Sequence, residues 1–146
     1  MATVDAGAVR NTRDIDLLVR RGDLPAISAA LRQAGFVPDD LLDVVMFRDG
    51  PEGKPSEAIH LLFAGEKVRA TDEHPCPGLD QSERAAEFQV LALLALVQMK
   101  LTSWRLKDRV HLLDMIRVGL IDATWPARLP PPLAARLQTL LDNPDG

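Results

Sequence analysis

Residues 13 to 20, Arg-Asp-Ile-Asp-Leu-Leu-Val-Arg, constrain the fold of this chain more than any other segment. Polar and apolar residues alternate and then give way to a short apolar run, as expected of a strand buried on one side and then on both. The period then changes. Asp23 offers an N-cap, Pro25 falls in the first turn, and Leu24, Ile27, Ala30 and Leu31 recur at helical spacing until Gly35 supplies the stop. A strand over 13–20 feeding a helix over 24–34 needs a sheet on which both can bury their apolar sides.

That sheet is completed by two further predicted strands. Residues 43 to 48 are apolar enough for one, residues 57 to 64 for the next, and the turn formers Asp49-Gly50-Pro51-Glu52-Gly53 make the two a hairpin. Residues 70 to 81 carry Pro75, Pro77 and Gly78 without periodicity and read as a loop. Beyond it Leu, Ala, Met, Gln and Lys dominate. The spacing predicts a short extended entry over 88–91 and helices over 93–104 and 107–118, with Gly119 as a C-cap. After the Pro130-Pro131-Pro132 break a last helix covers 133–141. The expected architecture is α/β in the α+β sense: a small mixed sheet flanked by helices over 1–80, and a helical C-terminal part of the same domain over 81–146.

With 146 residues, 47% of them hydrophobic, the chain fits a single domain with its own core. A formal charge of −4 gives no overall attraction to polyanions, so contact with phosphates must come from local Arg and Lys clusters. Cys76 is the sole cysteine, which excludes an internal disulfide and suggests a reducing compartment. The most apolar run, from Val90 to Val97, is far shorter than the roughly 20 residues of a membrane span. The first residues have neither the basic nor the apolar region of a signal peptide. A soluble cytoplasmic protein without membrane contact is the expectation.

Asp14 and Asp16 stand two apart in the predicted strand, so their side chains leave the same face with Cα atoms about 7 Å apart. Paired carboxylates are hard oxygen ligands suited to Mg²⁺ or Mn²⁺, and such ions can activate an attacking oxygen and stabilise a leaving pyrophosphate. Taken alone, an Asp-x-Asp pair is more often a solvated face or a turn cap than a metal site.

The surroundings add more. Asn11-Thr12-Arg13-Asp14-Ile15-Asp16-Leu17-Leu18-Val19 resembles the metal-binding strand of the DNA polymerase β-like nucleotidyltransferases, particularly the AbiEii-type toxins and related bacterial families. The stretch from Met99 to Asp114, with Lys100, Arg105, Lys107-Asp108 and Asp114, is similar to the same family's helical motif. The resemblance spans residues 11 to 114. It implies metal binding by Asp14 and Asp16, and a catalytic set of Asp14, Asp16, Lys100 and Asp108. Lys100 would approach nucleotide phosphates, with Thr12, Arg13 and Arg105 contributing to cofactor binding. Asp108, beside Arg105 or Lys107, would complete the site or hold it in position. The implied reaction moves a nucleotide from a nucleoside triphosphate to RNA, a protein hydroxyl or a small molecule, within a toxin–antitoxin context in which an antitoxin would be a partner.

Two departures qualify the pattern. The family carries a Gly-Ser or Gly-Gly pair at a helix start upstream of the acidic strand to cradle the triphosphate, whereas this sequence has Gly7-Ala8, too close to Asp14 for a helix between. The expectation is a form truncated at its N-terminus or degenerate at its nucleotide corner, with weak metal binding and an uncovered sheet edge buried by a second copy in a homodimer. The third carboxylate is also missing from its usual place. In Ala58-Ile59-His60-Leu61-Leu62 the inward polar position is His60, and Glu57 has opposite parity and would serve only if the strand bends. His60 reads either as a ligand or as a hydrogen-bonded structural residue. His74-Pro75-Cys76 lacks the second ligand pair of a zinc site, and Lys107, His111 and Asp114 form a helical stripe that reads as solvated. The two functional readings are a metal-dependent nucleotidyltransferase and a catalytically inactive protein of the same fold that binds a partner.

Overall fold

A computed structural model describes residues 13–39, 44–86 and 88–146. The chain divides into two compact units on either side of Asp80 and Gln81. Among the described residues it is a mixed α/β protein with four α-helices, a four-stranded mixed sheet and a two-stranded sheet. No helix of the described residues is long and apolar enough to cross a membrane.

In the first unit, β1 (Ile15–Val19) leads through a 3-10 turn into α1 (Leu24–Gln33), followed by β2 (Val37–Asp39), β3 (Val45–Arg48) and β4 (Ile59–Phe63). The sheet order is β1-β4-β3-β2; β1 and β4 are parallel, and β2, β3 and β4 are antiparallel neighbours. The hairpin expected between the second and third predicted strands is present, its turn closed by Gly53. A Cβ on Gly53 would stand 2.7 Å from the Asp49 backbone nitrogen, so a side chain there cannot fit without moving the loop.

The alternation in β4 determines which face is which. Ile59, Leu61 and Phe63 join Phe47 of β3 in a buried cluster, against which Leu24, Ile27 and Leu31 of α1, together with Val19 and Phe36, are packed. The helix ends where expected, with Gly35 at φ 94°. Asp23 occupies the N-cap position but makes no capping hydrogen bond with its side chain, and Pro25 in the first turn is what fits this start. With odd positions of β4 committed to α1, His60 and Leu62 must emerge on the opposite face.

Three elements differ from the sequence expectation. Strand β2 runs Val-Pro-Asp at a sheet edge, a place where proline's missing N–H is tolerated. The strand expected from residue 57 begins at Ile59, because Pro55 to Glu57 form a 3-10 turn. The extended entry near residue 90 is one half of a hairpin, β5 (Ser82–Arg84) with β6 (Gln89–Leu91).

The second unit continues with α2 (Leu93–Ser103), α3 (Leu106–Arg117) and α4 (Pro131–Asp142), the three helices packing on one another. Val97 and Leu101 of α2, Leu112 of α3, Leu133 and Leu137 of α4, and Ile121 are fully buried. Trp104 ends α2 in the left-handed region at φ 51°, a conformation costing a non-glycine residue about 1 kcal/mol. Arg136 offsets this turn by donating to the last carbonyls of α2, to Leu101 O at 2.7 Å and Thr102 O at 3.3 Å.

Two outcomes follow from this packing. Phe47→Ala removes the most buried aromatic ring of the sheet unit and is expected to destabilise it by about 3–5 kcal/mol in denaturant unfolding. Burial, reinforced by Asp72 and Glu66, pushes the Cys76 thiol up from 9.0 to about 11, and its loop is pinned by Cys76 N–H donating to Glu66 O at 2.8 Å. Labelling of the native chain by a disulfide reagent at pH 8 should therefore be about 100-fold slower than that of the unfolded chain.

Candidate functional site

The strand register builds the site. Parallel pairing sets Ile15 opposite Ile59 and Asp16 opposite His60, so the burial of Ile59 under α1 places Asp16 and His60 side by side on the other face. Backbone bonds extend this pairing beyond both ends of the strands. Ile15 N–H donates to Ala58 O at 3.2 Å, and Ala64 N–H donates to Val19 O at 2.8 Å. Asp14, just before β1, has the parity of Asp16. One donor atom from each of Asp14, Asp16 and His60 lies within 4.8 Å of the others, and His60 Nδ1 stands 3.3 Å from Asp16 Oδ1.

Donors sharing one ion at about 2.1 Å stand roughly 3 to 4 Å apart. The Asp16–His60 spacing is already in that range, and the donor atoms of all three residues lie within 4.8 Å of one another. Solvent reaches the cluster, with 40% of the Asp16 side chain and 21% of the His60 side chain exposed, so water can fill remaining coordination positions. A divalent cation therefore fits these residues. The third position beside the two aspartates is taken by His60 and not by Glu57, which lies in the turn before β4, 3.6 Å from Arg13. Arg13 thus stands against a carboxylate, and Thr12 lies outside the described residues together with Gly7 and Ala8.

Farther along the same sheet face a second pair appears that the sequence did not suggest. Asp39 of β2 is buried, and Arg48 Nε stands 3.0 Å from its carboxylate. Met46 lies between this pair and His60, since it is the register partner of both His60 and Asp39.

Lys100, Arg105 and Asp108 belong to the second unit, where they form a cluster of their own. Asp108 is 2% exposed. Its carboxylate accepts from Ser103 Oγ at 2.7 Å, from the Arg105 backbone N–H at 3.1 Å and from Arg105 Nε at 2.7 Å. The backbone bond is a helix N-terminal cap, formed by the third residue of α3 reaching back to the residue before the helix. Burial raises the Asp108 carboxyl, but the bonds from Arg105 and Ser103 and the charges of Arg105 and Lys100 outweigh it and hold the group below its ordinary 3.8. Lys100 Nζ lies 3.9 Å from Asp108 and 2.9 Å from His111 Nδ1.

Two of these contacts correct or extend the sequence reading. His111 does not belong to a wholly solvated stripe, because its ring meets Lys100 of the neighbouring helix. Ser103 carries a single signal in the sequence, its place at the end of the helix before the Asp108 cap. Comparison with protein-family models, with curated proteins and with solved structures found no match to this chain.

Asp108→Asn should destabilise the helical unit by about 2–4 kcal/mol in thermal or denaturant unfolding, since it leaves the Arg105 guanidinium without its counter-charge. The folded value of Asp108 is depressed, so its contribution is complete above about pH 4 and is lost as pH falls through the lower folded value. Acid unfolding below pH 4 should accordingly be shallower in Asp108→Asn than in the wild type.

Proposed function

We propose that this chain is a metal-dependent nucleotidyltransferase-like protein that moves a nucleotide from a nucleoside triphosphate to an RNA end, a protein hydroxyl or a small-molecule acceptor. The observation that carries the reading is the convergence of Asp14, Asp16 and His60 on one face of two parallel strands. The resemblance of residues 11–19, which contain both aspartates, and of residues 99–114 to the nucleotidyltransferase motifs supports it as well.

In this reaction the acceptor oxygen forms a bond to the α-phosphorus as the bond to pyrophosphate breaks, and most of the catalysis is positioning and charge stabilisation. A divalent ion supplies Lewis acidity toward the phosphate oxygens and the acceptor hydroxyl. The chain's own part would be to hold that ion from β4, whose opposite side is buried under α1, and from β1, which pairs with it in parallel. Asp14 and Asp16 would provide the negative charge, and the His60 ring, whose Nδ1 stands 3.3 Å from Asp16 Oδ1, would provide the third donor. The resemblance would give Lys100 the role of approaching phosphate and Asp108 that of holding it in position; within the second unit the two stand 3.9 Å apart.

One observation favours the alternative, a protein of this fold that binds nucleotide or a partner without transfer. Arg105 spends its Nε and a terminal nitrogen on Asp108, which leaves less of its guanidinium for phosphate. The two readings separate in a single assay of the full chain with Mn²⁺ and labelled nucleoside triphosphates. The enzyme reading expects slow incorporation of label or release of pyrophosphate, reduced at least about 100-fold in the Asp14→Ala, Asp16→Ala double variant. Nucleotide binding without transfer selects the alternative. Transfer that survives the double variant removes both aspartates from the reaction.

A further inference from the structure

The third donor beside Asp14 and Asp16 is an imidazole nitrogen, and that chemistry bears on which ion the site accepts. Carboxylate and water oxygens suit Mg²⁺, which demands near-ideal octahedral geometry and gives up its water reluctantly. Imidazole suits the borderline ions of the first transition row, whose affinity for a mixed nitrogen and oxygen site rises from Mn²⁺ through Co²⁺, with Zn²⁺ also high. We infer that His60 is a direct ligand that makes the Asp14–Asp16–His60 site select Mn²⁺, Co²⁺ or Zn²⁺ over Mg²⁺. This deepens the function proposed above and rests on it only for where the ion sits.

Three features of the structure bear on the assignment. First, the ring is not placed by a flexible loop. Ile59 and Leu61, the residues on either side of His60, are 8% and 1% exposed, so β4 is held under α1 and can present the imidazole only on the acidic face. Second, the ring nitrogen that faces Asp16 is Nδ1, at 3.3 Å from its Oδ1, a spacing two ligands of one ion can share. Third, the set is three protein donors with a solvent-facing side, the arrangement of a site that keeps positions open for water or substrate oxygen. A hydrogen-bonded Asp16–His60 pair with no ion is the competing account, and metal binding separates the two.

The test uses the full chain, freed of metal with a chelator and titrated with Mn²⁺, Co²⁺, Zn²⁺ and Mg²⁺ in the absence of nucleotide. Pulsed electron paramagnetic resonance of the Mn²⁺ form should show hyperfine coupling to an imidazole nitrogen. Competition titrations should place Zn²⁺ and Co²⁺ at least about 10-fold tighter than Mg²⁺. In His60→Ala the nitrogen coupling should vanish and the Zn²⁺ and Co²⁺ affinities should fall about 10-fold or more, with Mg²⁺ affected much less. His60→Asp should narrow the preference by restoring an all-oxygen set. Circular dichroism checks the fold of each variant, and His60→Asn, close in size, replaces His60→Ala if that variant does not fold. Unchanged affinities in the His60 variants, equal binding of Mg²⁺ and Zn²⁺, or no bound ion at all would overturn the inference. Mn²⁺ held without nitrogen coupling would also overturn it but leave the transfer reading standing; nitrogen-coupled Mn²⁺ in a chain that transfers no nucleotide would do the reverse.

Discussion

The burial of Ile59, Leu61 and Phe63 beneath α1 is the constraint on which the candidate site depends. A strand offers its side chains to two faces in strict alternation, so three apolar residues at odd positions leave His60 no choice of side. The parallel register with β1 then turns that choice into a contact, because Asp16 is the residue opposite His60. The sheet core and the polar cluster are thus two sides of one strand pair. A slip of one residue in β4 would bury the imidazole under α1 and expose Ile59 and Leu61 at the same time. The cost of exposing those side chains, on the order of 1.5–3 kcal/mol each, holds the ligand set in register.

A different logic holds the helical unit. Its residues Lys100, Ser103, Arg105, Asp108 and His111 meet at the junction of α2 and α3, where a left-handed Trp104 turns the chain between the helices. An isolated buried carboxylate would be costly, and Asp108 is instead surrounded by donors that are themselves fixed by the helix ends. These residues cap a helix and close a turn. Within this unit their geometry accounts for the spacing between Ser103 and Asp108 without appeal to a ligand.

Much of this was legible in the sequence where periodicity is strong. The β1–α1 start, the hairpin about Asp49 to Gly53 and the three C-terminal helices all follow from alternation, helical spacing and turn residues, with ends shifted by one or two positions. The side of the sheet on which His60 emerges followed from parity as well. What was not legible was short or relational. Strand β2 has three residues, one of them proline, and β5 is Ser-Glu-Arg; both exist because a neighbouring strand offers backbone partners, which no local pattern records. Glu57 looked like the start of a strand until Pro55 drew it into a turn beside Arg13. His111 looked solvated because its partner, Lys100, lies on another helix.

Asp14, Asp16 and His60 are the residues proposed to hold one divalent cation. Paramagnetic broadening measures this residue by residue, by adding substoichiometric Mn²⁺ to the ¹⁵N-labelled chain and following its amide resonances. With the ion bound there, the amides of residues 14 to 18 and 59 to 61 should broaden first and together, since the two strands are paired in that register. First broadening around Asp114, Asp142 or Asp72, or uniform loss with no preferred centre, would contradict it.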